Sequence, residues 1–425
     1  MLRPWQPRPG EWNDQAATHL LRRAGFGPKK GQVRQMLELG LSGAVETVLT
    51  TDTHAEELYR GIEPLLAQGE VSTLQAWWMA LILAGGAPLR ERTALCWHNH
   101  FATSFDKVDD VRLMHRQNEL FRREGLGDFR RLLHAVARDT AMLLWLDGGD
   151  NLKSHPNENF AREVMELFGL GIGNYTEGDV LEAARGFTGW GTRGRSSVFR
   201  EKHHDAGMKE VLGMKGTLDA ADVIDAVLDH PACARHVAHR LLKEFVAPRP
   251  RQEWVDALAE ELISNRWDIG ATLATLFAST LFFSDEVRRA RIASPVELMA
   301  FSVRALGVPF APKRAAQLCA EMGQALFRPP NVKGWDGHEA WVNVGTWIAR
   351  HNAMVEVAEA KRSTIDSDAP RHATAEAMRE ELLANVHTPQ LDDAVGRALA
   401  EAADTPTSIA VAAALVLTSP EFHLV

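Results

Sequence analysis

Apolar residues recur at helical spacing along almost the whole chain, and strict alternation of apolar and polar positions is nearly absent. The stretch "NDQAATHLLRRAGFG" (13–27) begins with Asn/Asp cap candidates, repeats apolar residues every three or four positions and stops at glycine. A longer apolar segment over 72–105 is expected to split into two helices at the Gly85–Gly86 pair and Pro88. The pattern predicts an all-α fold, a multi-helix globular bundle.

The same periodicity places the remaining elements. Helices are predicted at about 29–40, 41–50, 110–124, 128–145, 157–170, 177–187, 219–230, 232–247, 251–264, 268–282, 294–306, 312–326, 339–361, 372–386, 389–402 and 406–418. Two long stretches, 191–213 and 327–343, are irregular, and the first is expected to hold a short hairpin near 195–203. We predict a single helical domain over 1–425, with a sub-boundary near 191–216 and a surface linker at 364–376. Long irregular segments in compact domains are more often functional than structural.

Composition narrows the class of protein. The net charge of −9 and the lack of a Lys/Arg run argue against a nucleic-acid partner. Three scattered cysteines are too few for a disulfide framework. The first residues contain no signal-peptide core, and the apolar runs are far shorter than a membrane span. We therefore expect a soluble protein without a membrane span, cytoplasmic, or periplasmic if an export signal has been removed.

The helix predicted at 157–170 carries a charged stripe. At roughly 100° per residue, Glu158, Arg162 and Glu166 fall in one arc together with Asn159 and Glu163. Pairs four residues apart are typical of a solvated helix face, where each contributes roughly 0.3–0.5 kcal/mol. A partly buried carboxylate cluster would instead bind a metal or hold a proton near neutral pH. Both interpretations stay open.

The glycines that follow this helix mark its end. "GLGIGN" (169–174) is not a dinucleotide fingerprint, because that motif must follow a strand and this one follows a helix. "TEGD" (176–179) is expected to form a capping box that opens the next helix.

Histidines supply the second set of candidates. His98 and His100 in "CWHNHF" (96–101) are two residues apart, so on a regular helix they point in nearly opposite directions and cannot both bind one metal. By default each is a core histidine. His204, Asp205 and Lys209 place a base, a carboxylate and a cation within six positions of an irregular stretch. The alternative for them is an ordinary surface loop.

Tryptophans mark the second irregular stretch. Trp335, Trp341 and Trp347 lie in or just after it, and their rings could stack on a sugar or an aromatic ligand, with Arg328 and Lys333 available for an anion. Packing into the helical bundle is the alternative that we favour for such large side chains.

Several stretches together carry a family resemblance. They are "HLLRRAGFG" (19–27), "WHNHF" (97–101), "NENFAREVMELFGLG" (157–171), "YTEGDVLEAARGFTGW" (175–190), "HDAGMKEVLG" (204–213), "SPVEL" (294–298) and "FRPPNVKGWDGHEAWVN" (327–343). Over roughly residues 15–425 the chain resembles the bacterial domain-of-unknown-function family eighteen-hundred. The resemblance implies a mostly helical bacterial protein without an established activity. It also implies a partner, because such genes often lie beside one for a phosphatase- or sulfatase-like protein that is commonly exported. Many relatives carry histidine where this chain has Phe168.

Two functions follow from these candidates. In the first, the protein is an enzyme. The charged helix at 157–170, "WHNHF" (97–101) and the "HDAGMK" loop (204–209) converge on one pocket. This pocket binds zinc, iron or manganese, or performs acid–base chemistry for hydrolysis or oxidation. Its candidate catalytic residues are Glu158, Arg162, Glu163, His204, Asp205 and Lys209, its candidate metal ligands are His98, His100 and Glu166, and its candidate ligand-binding residues are Arg328, Lys333 and Trp335. In the second, an accessory or scaffold protein, a buried polar network locks helix packing. We favour the second, because no recognised catalytic motif is present.

Overall fold

The computed structural model describes residues 2–50, 62–149, 151–362 and 406–425. The helices are α1 (Asp14–Arg23), α2 (Gln32–Leu49), α3 (Glu63–Leu66), α4 (Val71–Ala84), α5 (Pro88–His100), α6 (Phe105–Val108), α7 (Val111–Glu124), α8 (Phe129–Val136), α9 (Thr140–Trp145), α10 (Glu158–Glu163), α11 (Glu177–Gly186), α12 (Ala220–Asp229), α13 (Pro231–Phe245), α14 (Gln252–Ser264), α15 (Ile269–Phe277), α16 (Pro295–Leu306), α17 (Pro312–Glu321), α18 (Val344–Arg362) and α19 (Pro406–Thr418). A π-helix over Val164–Leu170 continues directly from α10. The all-α prediction is confirmed.

Local signals set many of the helix ends. Gly85 adopts a left-handed φ of +59° at the end of α4, and Pro88 occupies the first turn of α5, so the predicted split is confirmed. Thr176 and Asp179 form the predicted capping box at the start of α11. Gly40 has a non-helical conformation inside α2, which produces a kink between the two short helices predicted there.

Other boundaries differ from the sequence prediction. The helix expected at 128–145 is two helices, because the Asp139 carboxylate accepts a hydrogen bond from Met142 N at 3.0 Å and caps a new start. The segment expected to be helical from 339 begins with a 3₁₀ turn, and α18 starts at Val344. The helices predicted at 372–386 and 389–402 and the linker at 364–376 lie outside the described residues.

The irregular stretch at 191–213 and its flanks fold into two antiparallel hairpins. Strands β1 (Trp190–Arg193) and β2 (Ser196–Phe199) form the predicted one. Strands β3 (Lys209–Val211) and β4 (Met214–Gly216) form a second hairpin that the sequence did not predict. Its two turn residues, Leu212 and Gly213, both have positive φ, which matches the tight two-residue turns of hairpins. Leucine is a rare choice there, so the sequence carried no turn signal.

Buried apolar side chains from α1 to the C-terminal segment form one continuous cluster within the described residues. Its centre is aromatic, with Trp78, Trp97, Phe101, Phe121, Phe129 and Phe168 almost completely buried. Helix α5 runs through this core and packs against α7, α4 and α13. The C-terminal Val425 exchanges backbone hydrogen bonds with Arg291, just before α16. None of the described helices is long and apolar enough to cross a bilayer.

Candidate functional site

The last turn of α5 holds two remote segments in place. His98 is buried, and its Nε2 accepts a hydrogen bond from Phe327 N at 3.2 Å. Asn99 accepts from Trp335 N at 2.7 Å and donates to Trp335 O at 3.3 Å. Burial lowers the pKa of His98 to about 3, so the ring is neutral at pH 7. These two side chains fasten the irregular stretch 327–343 to the core.

His100 faces the other way and caps the π-helix. Its Nε2 donates to Phe168 O at 3.1 Å, and His236 Nε2 of α13 donates to Leu167 O at 2.8 Å. Both carbonyls lie at the end of the π-helix, where Gly171 stops the turn and no intrahelical donor remains. Burial lowers the pKa of His100 well below its usual value. The predicted continuous α-helix at 157–170 is therefore wrong for its second half, which is a π-helix.

The residues of the charged stripe on α10 and the π-helix do not pair with one another. Arg162 forms a bidentate ion pair with Glu177 of α11, at 2.7 Å for both bonds, rather than pairs with Glu158 and Glu166. Glu166 accepts a hydrogen bond from Tyr175 Oη at 2.7 Å. Glu158 is exposed. Because the π-helix turns less per residue than an α-helix, the helical wheel used for the prediction fails beyond residue 163.

Glu163 is the exception within the stripe. It is half-buried, and it makes no hydrogen bond or ion pair with the described residues. Burial, together with the charge of Glu166, raises the pKa of the Glu163 carboxyl, and the nearby Lys333 ammonium and Arg162 act in the opposite direction. The structure thus brings Glu163 of α10 close to Lys333 of the irregular stretch 327–343, which we call the Trp-rich stretch.

The predicted base, carboxylate and cation in the first irregular stretch hold their own loop. His204 Nδ1 lies 2.9 Å from Thr188 O. Asp205 pairs with Arg185 of α11 at 2.8 Å, and this guanidinium lowers the pKa of Asp205 to about 2. Lys209 is 3% exposed, and its ammonium donates to Asp205 O and Gly207 O. All three side chains are engaged within this loop and its neighbour α11.

The Trp-rich stretch is packed rather than open. Trp335 is 5% exposed and its ring lies 5.6 Å from that of His98. Arg328 pairs with Asp106 at 2.9 Å on the surface. Lys333 is exposed. The packing interpretation therefore describes Trp335, whose ring is buried. Arg328 and Lys333 are exposed at the surface instead.

The predicted three-ligand metal set is not assembled. The Nε2 atoms of His98 and His100 are hydrogen-bonded to different backbone groups, and Glu166 is hydrogen-bonded to Tyr175. Over the described ranges, no group of three or more His, Cys, Asp or Glu side chains is arranged to hold a metal ion.

A buried ionic network, absent from the sequence-based candidates, surrounds Arg92 in the first half of α5. Arg92, which is fully buried, bridges Glu244 of α13 at 2.9 Å and Glu297 of α16 at 2.5 Å. Arg291 also pairs with Glu297, at 3.1 Å, and Arg240 approaches Glu244 at 3.4 Å. The neighbouring arginines, Arg291 and Arg92, hold the pKa of Glu297 far below its usual value despite burial. One arginine therefore ties three helices together.

This network forms one wall of a small cavity of about 40 Å³, which we call the polar pocket. Its lining residues are Leu95, Asn99, Arg240, Lys243, Glu244, Arg291, Ser294, Glu297, Gln324, Asp336, Gly337, His338 and Trp341. The 3₁₀ turn of the Trp-rich stretch supplies the opposite wall, and Lys243 Nζ donates to Asp336 O at 3.2 Å. By the volume that one water needs, the polar pocket has room for about three.

Local sequence signals existed for parts of this network. Arg240 and Glu244 are four apart on a helix, and Ser294 and Glu297 have the spacing of the capping box that starts α16. Neither signal shows that Arg92, about 150 positions away from the first pair, completes both.

The comparisons with known proteins address the family alone. A family model described as "Protein of unknown function (DUF1800)" matches residues 19–424. No curated protein matches the chain, and no solved structure does. Because the match covers nearly the whole chain, the protein belongs to the DUF1800 family.

Proposed function

We propose that this protein acts by binding rather than by catalysis, as an accessory or scaffold protein whose buried polar network locks the packing of its helices. One observation carries the proposal. The imidazoles and the ammonium that the sequence nominated for chemistry are bonded to backbone atoms. His98 and His100 bond to Phe327 and Phe168 of other segments, and Lys209 bonds to Gly207 of its own loop. Side chains bonded in this way position the chain and leave no lone pair for a metal on those atoms.

The electrostatics support the same function. A general base works best with a pKa near the operating pH, whereas burial lowers the pKa of His98 to about 3. The ion pairs of Arg92 with Glu244 and Glu297 are largely buried. Such pairs contribute little net stability over apolar packing but penalise any arrangement that separates the partners. Such a network specifies one packing of α5, α13 and α16.

A second function, acid–base or metal-assisted catalysis, draws on Glu163. Its half-buried carboxyl has a raised pKa, makes no hydrogen bond or ion pair with the described residues, and lies near Glu166 and Lys333. Raised carboxyl pKa values are typical of general acids. This observation concerns one residue, whereas the proposed function accounts for the candidates on three segments.

Metal loading separates the two functions. Purified protein is incubated with zinc, iron(II) or manganese, desalted and measured for metal content and thermal unfolding. We expect substoichiometric metal and an unchanged melting temperature. One equivalent of metal that is retained by the wild type and lost in Glu163→Gln would contradict the proposed function and support the enzyme. Glu158→Gln, on the exposed side of the same helix, is the matched control.

Stability measurements test the structural role directly. His98→Ala removes a buried acceptor and a ring packed among Trp78, Phe327 and Trp335, so we expect a loss of about 3 kcal/mol of unfolding free energy. An alanine at exposed Glu158 should change it by less than about 0.5 kcal/mol. Equal effects of the two substitutions would mean that His98 does not fasten the fold.

The partner implied by the family resemblance, a phosphatase- or sulfatase-like protein, remains a prediction that co-purification of the two proteins would test.

A further inference from the structure

We propose that the polar pocket binds a small oxyanion, namely a phosphate or carboxylate group. This inference goes beyond the proposed function, because it assigns a ligand class to a cavity that a purely structural network would not need.

Charge is the first argument. The buried carboxylates at the polar pocket, Glu244 and Glu297, are outnumbered by the cations around them, which are Arg92, Arg240, Lys243 and Arg291. Asp336 also lines the polar pocket, but its side chain is exposed to solvent. Three further buried arginines, Arg22, Arg23 and Arg350, also interact electrostatically with Glu297. Buried charges are normally paired, so a positive excess of this size favours an anion.

Unsatisfied nitrogens are the second argument. On the side chains that line the polar pocket, three buried nitrogens have no hydrogen-bond partner in the described part of the chain. They are Nε of Arg240, Nε of Arg291 and Nδ1 of His338. Gln324 uses its amide oxygen to accept from Val296 N, and its amide nitrogen makes no bond to the described residues. Buried polar groups in folded proteins are nearly always satisfied, by protein, water or ligand.

The backbone of the opposite wall is the third argument. Gly337 and His338 have φ of +82° and +53°, and histidine is one of the non-glycine residues that adopt a positive φ more readily. This turn places the buried His338 ring against the polar pocket. Burial and the charges of Arg291 and Lys243 lower the pKa of His338 to about 4, as expected for an imidazole in a cationic environment.

Size sets the ligand class. Room for about three waters suits a carboxylate group or the three terminal oxygens of a phosphate group, and it excludes a whole sugar or nucleotide from the cavity. Arginine donors in fixed geometry recognise both groups. A free anion and the terminal group of a larger molecule share this chemistry.

Calorimetric titration with inorganic phosphate and, separately, with acetate tests the proposal on the full chain at constant ionic strength set with chloride. We expect saturable binding of at least one of the two anions with one site per chain. Phosphate alone or acetate alone would identify the group that the polar pocket selects. A carrier molecule as the natural source would show as phosphate or acetate affinity weaker than that of an alkyl phosphate or a longer carboxylate. No saturable binding by any of these probes up to about 10 mM would overturn the proposal.

Variants assign the binding to the polar pocket. Lys243→Met removes a half-buried cation whose hydrogen bond is to a loop carbonyl, and we expect at least a tenfold loss of affinity. Lys333→Met is the matched control, because Lys333 is an exposed lysine of the Trp-rich stretch that does not line the polar pocket. This variant should bind as the wild type does. His338→Asn is a second variant, since asparagine tolerates a left-handed backbone, and it should also weaken binding. Wild-type affinity in both Lys243→Met and His338→Asn would place the anion elsewhere and overturn the proposal. Metal uptake, which tests the proposed function, is measured independently of these titrations.

Discussion

Replacing Gly334 by alanine is expected to detach the Trp-rich stretch from α5. A Cβ atom at this position would lie 2.1 Å from Asn99 Oδ1 and 2.4 Å from the Asn99 backbone oxygen. Gly334 also has a φ of +78°, which disfavours any residue with a Cβ. One of the obstructing atoms is helix backbone, so rotation of a flexible side chain cannot relieve the overlap. The loop must move instead.

The magnitude follows from what that movement breaks. A left-handed conformation costs a non-glycine residue about 1–2 kcal/mol. Moving the loop also separates Asn99 from Trp335 N and O, now at 2.7 and 3.3 Å, and each buried polar group left without a partner costs about 1–3 kcal/mol. Asn99 is only half-buried, so water replaces part of this loss. We expect Gly334→Ala to lower the unfolding free energy by about 3–5 kcal/mol.

Urea unfolding monitored by tryptophan fluorescence and circular dichroism measures the effect, with Gly345→Ala as the control. Gly345 is exposed in the first turn of α18, and its Cβ would meet nothing closer than 3.5 Å. Alanine there should leave stability unchanged or raise it by up to about 1 kcal/mol. If the two glycine variants unfold within about 1 kcal/mol of each other, the Gly334–Asn99 contact does not hold the loop and the reasoning is refuted.

Three further predictions concern pH, a helix cap and the ionic network. Burial lowers the pKa of His98 from 6.5 to about 3, so its contribution to stability is present above pH 6.5 and is lost as the pH falls toward 3. His98→Gln, which keeps an acceptor for Phe327 N, should reduce the slope of unfolding free energy against pH by about 1.4 kcal/mol per unit near pH 5, and an unchanged slope in urea titrations would contradict this. Thr176→Ala removes the capping box of α11 and should cost about 1 kcal/mol in the same assay, with no change disproving the cap's role. Glu297→Gln leaves Arg92 and Arg291 with an uncharged partner and should cost about 3 kcal/mol or more, whereas a loss below about 1 kcal/mol would show that the network is dispensable.

Helix positions followed from sequence because their signals are local. The break between α4 and α5 is encoded by Gly85 and Pro88, and the start of α11 by Thr176 and Asp179, all within one turn of the boundary that they set. Apolar spacing likewise predicted the all-α class. The second hairpin was missed because its turn uses Leu212 where a glycine or asparagine would have signalled it.

The candidate site followed from sequence only in part. The sequence singled out "WHNHF" and the Trp-rich stretch, and the structure joins them through His98, Asn99 and Trp335. It did not identify the polar pocket, because Arg92, Glu244 and Glu297 are each unremarkable charged residues until three helices meet.

The sequence by itself determined the helical class and several helix ends, because these depend on interactions among residues a few positions apart. Tertiary structure alone decided that residues 164–170 form a π-helix, since its last carbonyls are satisfied by imidazoles from α5 and α13. It also decided which charges are buried, paired or left in excess around a cavity. Burial and electrostatic pairing depend on groups brought together from distant parts of the chain, so no local pattern can report them.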